Sequence, residues 1–574
     1  MSNPKLRLAV TVALLATGCA TASTSDRRLF SALNVLDPDV QPFPDVPTQT
    51  FATGQELKEP PAYKDTNPNP NIYEFDVTAG QGALPILNGP KTQMFLYNGQ
   101  FPGPTIRCKE GTIVKAHFHN RLPLPANIHF HGMIIPPEQD GAPQNLVSPG
   151  QDHTYTWVAH KDFPMNTWYH AHPHGITHVE VPRGLSGFTQ ILATKDPLPA
   201  AYGNSQITLL DQRFDANNQF TPDTEFDRIN GREGNIVFVN GQILPKLTLK
   251  PGEIRRLTIL NGSPARFYDV AIPGVEVLWV GTDGGLFEKP IPITHQLVTN
   301  SERIQILIKA PPVPNQSYTM VALPFDRGLL PKHDVAVPLM TVRTSAAPVV
   351  KPPPVPALLR HIDPIPQTGL RRTIDMRFGT FDTIKHFNIN DKRFDPLRID
   401  NVANHDQTEV WTLTSKNGPW WHPMHLHSTQ FQVIEQNNVP TPFPAWKDTV
   451  PISSSGQVRF VVRYIGFPGL FFFHCHILAH EDDGMMTTLY VNNRTDGPRL
   501  GDNLTRLPTE SSPELVRWAT RLQADRPVPI AEACGEDVDR IKVRDPFGVS
   551  SQSVDQALRW MAAGRVIPVQ LADR

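Results

Sequence analysis

Cysteine is scarce: Cys19, Cys108, Cys475 and Cys534 are the only four in 574 residues. That is too few for a disulfide-stapled scaffold, so stability must come from buried cores. Net charge is nearly absent as well. With 53 basic against 55 acidic side chains the formal charge is −2, which excludes an electrostatic footprint for nucleic acid or for an anionic membrane. No segment reaches the ~20 apolar residues that a transmembrane helix needs. Helical periodicity is rare before the last eighth of the chain.

Proline (59), glycine (37) and histidine (21) are plentiful. Short β-branched runs between Pro/Gly/Asn clusters favour antiparallel sandwiches, and the length suggests three or four domains at roughly 100–200 residues each. Residues 1–23 read as an export signal, with basic residues before the apolar run Leu8 to Ala16. Within it, Ala16-Thr17-Gly18-Cys19 is a candidate lipidation site, and cleavage among Ala20 to Ser23 is the alternative. Either way the protein is expected outside the cytoplasm, in the periplasm or cell envelope or secreted, with membrane anchoring only through a lipidated Cys19. Residues 24–70 form an irregular leader, and globular structure is expected from near Ile72.

From there one pattern recurs. Asn98-Gly99-Gln100 precedes a strand-like 112–120, Asn240-Gly241-Gln242 precedes 253–261, and a weaker copy, Asn390-Asp391, precedes 409–417. The copies start 142 and 150 residues apart, the size of a β-sandwich rather than of a solenoid repeat. The reading is three sandwiches at 71–198, 202–345 and 369–495, a Pro-rich linker at 346–368, and a partly helical tail at 496–574. Cys108 and Cys534 would pair in an oxidising compartment or stay as two separate buried thiols.

The histidines concentrate in four motifs: His129-Phe130-His131, His170-Ala171-His172, His422-Pro423-Met424-His425-Leu426-His427, and His474-Cys475-His476-Ile477-Leu478-Ala479-His480 with Met485 beyond it. Alternate residues of a strand share a face, so each His-x-His pair presents two imidazoles side by side, as a shared metal site requires. Imidazole alone does not choose the metal. The last motif does, because one Cys, two His and a weak axial Met make a blue-copper electron-transfer site, and His422, Cys475, His480 and Met485 supply those types. His474 and His476 flank Cys475 and must face away from its sulfur, which links a one-electron port to a second metal centre through a few backbone bonds.

With these four motifs in order, residues 72–492 resemble a three-domain bacterial multicopper oxidase. The resemblance implies an all-β fold of three consecutive cupredoxin-like Greek-key sandwiches. It also implies copper: a type 1 ion on His422, Cys475 and His480 with Met485 axial, a type 2 ion on His129 and His425, and a type 3 pair on His131, His170, His172, His427, His474 and His476. Dioxygen reduction consumes four protons as well as four electrons, and Asp140 and Glu481 match the carboxylates that relay protons in similar enzymes. His117, His119 and His174 are read as structural, the first two because the matching strand of the second copy carries Leu257 and Ile259 instead.

The stretch Ala445 to Val450 and the ending Glu481 to Met486 look closest to the branch holding cuprous oxidases, spore-coat laccases and bilirubin oxidases. Trp420 resembles a tryptophan beside the type 1 site of bilirubin oxidases, and is equally readable as a packing residue. The 11 methionines are scattered, whereas cuprous oxidases typically carry a methionine-rich insert. The expected partners are therefore dioxygen and a small-molecule reductant, a phenol, aryl amine or tetrapyrrole, acted on by a monomer. Cuprous oxidation is the alternative, and a copper-binding protein or non-catalytic envelope scaffold is the reading from another class.

Overall fold

A computed structural model describes residues 53–492 apart from 144, 161–164, 329–335, 382–383 and 397. The expected signal with Cys19, the leader up to residue 52, and the helical tail with Cys534 lie outside these residues; Cys108 is buried in the first sandwich.

Three β-sandwiches follow one another. In the first, a sheet ordered Thr92–Tyr97, Ile72–Leu84, Ile113–Asn120, Asp152–Val158 packs on another ordered Gly103–Lys109, Ser186–Leu192, Asn166–His170, His129–His131. Phe75, Val77, Phe118 and Tyr155 from one sheet and Ile106, Phe130 and Tyr169 from the other share one core. The second sandwich pairs a six-stranded with a five-stranded sheet, and the third a seven-stranded with a five-stranded sheet. Alternation explains the strand faces: in Ile113–Asn120, Val114, Ala116 and Phe118 point into the core while His117 and His119 point outward.

The recurring Asn has a structural cause. Asn98, Asn240, Asn390 and Asp391 all have left-handed φ, at 49°, 52°, 53° and 58°, the conformation that tight hairpin turns demand and that Asn, Asp and Gly tolerate best. Each Asn then accepts a hydrogen bond from an early strand of its own sandwich, from Thr78 N at 2.6 Å, Thr208 N at 2.7 Å and Asp375 N at 2.7 Å. In every copy that strand runs parallel to the strand-like segment noted in the sequence: 72–79 beside 113–120, 205–209 beside 257–261, and 370–377 beside 409–416.

Packing begins before Ile72, contrary to expectation. Gly54 N donates to Leu244 O, Leu57 N to Lys246 O and Tyr63 N to Thr105 O, so the end of the leader clips the first two sandwiches together. Its ladder partners lie in other domains, which is why it has no alternating pattern of its own.

The short helix Leu478–Asp483 joins the three sandwiches. All six of its residues are buried, its first amide donates to Pro264 O, and Leu478 packs with Trp168, Val181, Phe188 and Leu260. Burial of one such leucine contributes roughly 1.5–3 kcal/mol.

Candidate metal centre

The strand His129–His131 pairs antiparallel with Asn166–His170, setting His129 opposite His170. In the third sandwich His422–Leu426 pairs with Gly469–Cys475, setting His425 opposite His474 and Met424 opposite Cys475. The edges of these two sheets meet, and eight imidazoles converge: His129, His131, His170 and His172 from the first sandwich, His425, His427, His474 and His476 from the third. Ring centroids across the seam are 3.6 Å apart for His131 and His425, 4.2 Å for His129 and His427, and 4.9 Å for His172 and His474. His476 lies 5.1 Å from His131 and 5.4 Å from His170. Every one of the eight is at most 1% exposed.

Their hydrogen bonds show what the cluster can hold. His129, His170, His425 and His474 turn Nδ1 to the carbonyls of Asp140, Ala171, Asp448 and Cys475 at 2.8–2.9 Å, and His427 turns Nδ1 to the Asp140 carboxylate at 2.7 Å. A ring whose Nδ1–H is donated has a bare lone pair on Nε2. Those Nε2 atoms point inward: His129, His170 and His425 have no hydrogen-bond partner there, and the Nε2 atoms of His172 and His427 lie 3.2 and 3.0 Å from that of His474. A buried polar atom without a partner costs about 1–3 kcal/mol, and one ring proton cannot satisfy three converging lone pairs. Metal cations can, and outward hydrogen bonds that fix the tautomer are what metal-binding histidines carry.

Electrostatics agree. Burial first, then mutual repulsion, pushes His170, His172 and His476 well below the ordinary histidine value, and burial and Arg303 do so for His131. They are neutral imidazoles, the form that binds metal. Two carboxylates touch the cluster. Asp140 reaches His427 at 2.7 Å and His129 at 3.5 Å; burial alone would raise its pKa, but those two rings outweigh it and hold Asp140 well below the carboxylate range. Glu481 lies 3.3 Å from His172 Nδ1 and 3.2 Å from His474 Nδ1. Burial raises its pKa despite the pull of His474. The two carboxyls are thus driven in opposite directions, one fixed as anion, the other biased toward its acid.

A second group lies beside the first. Cys475 Sγ is 3.5 Å from His422 Nδ1 and 3.8 Å from His480 Nδ1, all three side chains are buried, and His480 gives its other nitrogen to Ile229 O at 3.0 Å. Met485 is fully buried and tied to this turn by Cys475 N→Met485 O at 3.0 Å and Met485 N→His480 O at 2.9 Å. Burial pushes the Cys475 thiol far up, favouring its protonated form, and His422 down to about 3, favouring the neutral imidazole; a bound cation would displace the thiol proton. The soft sulfur with two imidazoles suits copper. The chain therefore brings together eleven of the twelve side chains expected at the metals in two adjoining groups, with the His474-Cys475-His476 backbone between them and Met485 held beside the second by its backbone.

The remaining expectations resolve by contact. His117 bridges Glu74 and Thr154 at 2.7 and 3.0 Å, and His119 lies between Asp76 and Asp152 at 3.1 and 3.0 Å. His174 packs on Phe394 with Nδ1 3.9 Å from Asp482. None of the three joins the cluster. Trp420 is a packing residue, 5.0 Å from Phe378 and 5.2 Å from Phe387, whose ring stacks on His480 at 3.7 Å. Sequence reasoning missed Asp448, 3.2 Å from His131 Nε2, and Arg303, which grips it; the quoted Ala445 to Val450 stretch contained the first, and nothing in the sequence marked the second. Gly132, at φ +75°, is required here, because a Cβ would meet the Asp448 carboxylate at 2.3 Å.

Models of the multicopper oxidase family match residues 78–196, 202–346 and 366–495. A multicopper oxidase (mco) of Staphylococcus epidermidis is 27% identical over 76% of this chain and 93% of its own length. A bilirubin oxidase of Albifimbria verrucaria is 26% identical over 71% of this chain and 74% of its own. A solved multicopper oxidase from Campylobacter jejuni, described as a metallo-oxidase, superposes with a TM-score of 0.72 at 29% identity, covering 78% of this chain and 98% of that one. The chain belongs to the multicopper oxidase family, a copper-dependent oxidoreductase of cupredoxin-like sandwiches that uses dioxygen as electron acceptor.

Proposed function

We propose that the protein takes single electrons from small aromatic reductants, phenols, aryl amines or tetrapyrroles, at a copper that His422, Cys475, His480 and Met485 would hold, and passes them to dioxygen at the eight-histidine cluster. In this reading His129 and His425 would hold a type 2 copper, and His131, His170, His172, His427, His474 and His476 would hold a type 3 pair. Copper supplies one-electron chemistry at the thiolate and the four-electron reduction of dioxygen at the histidines. The chain's own residues do the rest. The Cys475 backbone carries electrons the short distance to His474 and His476. Glu481, biased toward its acid and in contact with His172 and His474, donates protons; Asp140, held as an anion, keeps His427 and His129 oriented and accepts their hydrogen bonds. Four protons and four electrons per dioxygen leave two waters.

The observation that carries this reading is the placement of the Cys475 sulfur against His422 and His480 while both flanking imidazoles enter the other group. Aromatic reductants are favoured by Trp421, half-buried next to His422 and packed edge-on to Phe325 at 5.2 Å and Phe267 at 6.2 Å, a wall suited to a flat ring. The solved metallo-oxidase relative favours cuprous ion as the second reading. A scaffold needs none of these side chains, and none has been lost. Export through residues 1–23 belongs to the same proposal.

The test is dioxygen uptake by copper-loaded protein given a substituted phenol, bilirubin or Cu(I), beside a Cys475→Ser control. Uptake fastest with an aromatic supports the reading, and uptake only with Cu(I) replaces the substrate class. If copper is bound and uptake never exceeds the control, the oxidase reading fails.

A further inference from the structure

The electron-accepting group is built by the third sandwich, yet its outer edge is closed by the second. The helix Glu225–Asn230 ends with two consecutive carbonyls pointing to different partners. Ile229 O accepts from His480 Nε2 at 3.0 Å, and Asn230 O accepts from Arg327 Nη2 at 2.7 Å. One peptide unit therefore separates a candidate copper ligand from a guanidinium that is only 3% exposed. Gly231 follows at φ +78°, where a Cβ would strike Ala265 at 2.5 Å and Ile477 at 2.7 Å, so this turn sits directly on the residues after Cys475.

Arg327 is a buried cation that shares its surroundings with two acidic groups, Glu233 and Asp211, and a second cation, Arg266. Glu233 is its carboxylate partner, at 2.6 Å, and Glu233 also faces Arg266 at 3.6 Å. Nη1 of Arg327 has no hydrogen-bond partner, and the guanidinium carbon lies 5.9 Å from the centre of the Phe267 ring. Arg228, on the same helix, is different: it contacts both Glu225 at 2.5 Å and Asp483 at 3.2 Å.

We propose that Arg327 is a positioning residue for the His422–Cys475–His480 group: it anchors the Ile229–Asn230 turn that orients His480, and its fixed charge raises the reduction potential of the metal held there. This rests on the reading that the group binds copper. Reduction adds an electron to a buried site, a nearby positive charge stabilises the reduced form, and low effective dielectric carries the effect through protein rather than screening it.

The experiment is a redox titration of the copper-loaded protein, followed by its blue absorption, for wild type, Arg327→Met, Arg327→Lys and Glu233→Gln. Arg327→Met keeps bulk and removes charge. It should keep the blue band and shift the equilibrium for reduction roughly tenfold toward the oxidised form, a fall of about 59 mV for a one-electron couple. Arg327→Lys restores charge, with one ammonium in place of the Nη2 that reaches both Asn230 O and Glu233, and should recover most of the potential. Glu233→Gln removes the counter-charge and should move the potential upward. If Arg327→Met does not hold copper, the sign of the Glu233→Gln shift decides. An unchanged or higher potential in Arg327→Met, or a fall in Glu233→Gln, overturns the proposal. A wild-type protein that binds copper without any blue band would instead sink the copper-site reading beneath it.

Discussion

Arg303 of the second sandwich closes a two-pronged hydrogen bond on Asp448 of the third, Nη1 to Oδ1 at 2.8 Å and Nη2 to Oδ2 at 2.5 Å, with both side chains wholly buried. The same carboxylate lies 3.2 Å from His131 of the first sandwich and accepts from Gln430 at 3.0 Å. Burial alone would raise the Asp448 pKa, and the guanidinium holds it well below the usual range.

Removing one partner of such a pair strands a buried charge, which costs about 3–5 kcal/mol. Arg303→Met should therefore lower the urea midpoint by that equivalent and deplete copper at the histidine cluster more than at the cysteine group. Copper analysis alongside blue absorbance reads the second effect. A change below about 1 kcal/mol would mean that water or Lys447, 2.9 Å from Asp283, compensates for the loss.

Asp140→Asn keeps shape but cannot hold His427 with a full negative charge. Blue absorption should stay as in wild type while turnover falls roughly 10²-fold or more. Glu481→Gln should do the same through the opposite defect, the loss of a proton to give. Steady-state oxygen consumption with one reductant checks both; unchanged turnover in either removes that carboxyl from the mechanism.

His178 provides a pH signature away from the metals. Burial lowers its pKa, but Asp482, 2.7 Å away, and Asp223 at 3.7 Å outweigh burial and raise it above the ordinary 6.5, with Arg183 opposing. A raised folded value means that the stabilisation is complete below the unfolded pKa and fades as pH rises through the folded one. The stability gap between wild type and His178→Gln should accordingly be wider at about pH 5.5 than at about pH 9. A gap independent of pH would show that folding leaves the His178 pKa unshifted, and a gap wider at high pH that the ring is held neutral.

Removal of copper by a chelator should lower the melting temperature, since a ligand at a thousand times its dissociation constant stabilises the folded form by about 4 kcal/mol. Copper should restore it and magnesium should not, because hard cations take oxygen ligands and the cluster offers imidazole nitrogen. Calorimetric scans before and after readdition settle this.

The motifs were legible because strand periodicity is short-range: His129 and His131, or His474 and His476 about Cys475, need only two residues of extended chain to declare their faces. Asn390-Asp391 was legible as a weak third repeat for a similar reason, a single left-handed turn. Arg303, Arg327 and the Ile229 carbonyl were not, since no periodicity records contacts between residues 97 to 251 positions apart. The leader misled for the same cause, its ladder partners Lys246 and Thr105 lying far along the chain.

The two groups differ in parentage. His422, Cys475, His480 and Met485 come from a single sandwich, whereas the eight imidazoles are divided equally between the first and the last. Colour should thus outlive respiration of the enzyme: under mild denaturation that parts the outer sandwiches, a blue and reducible but oxygen-blind species would form before the chain unfolds.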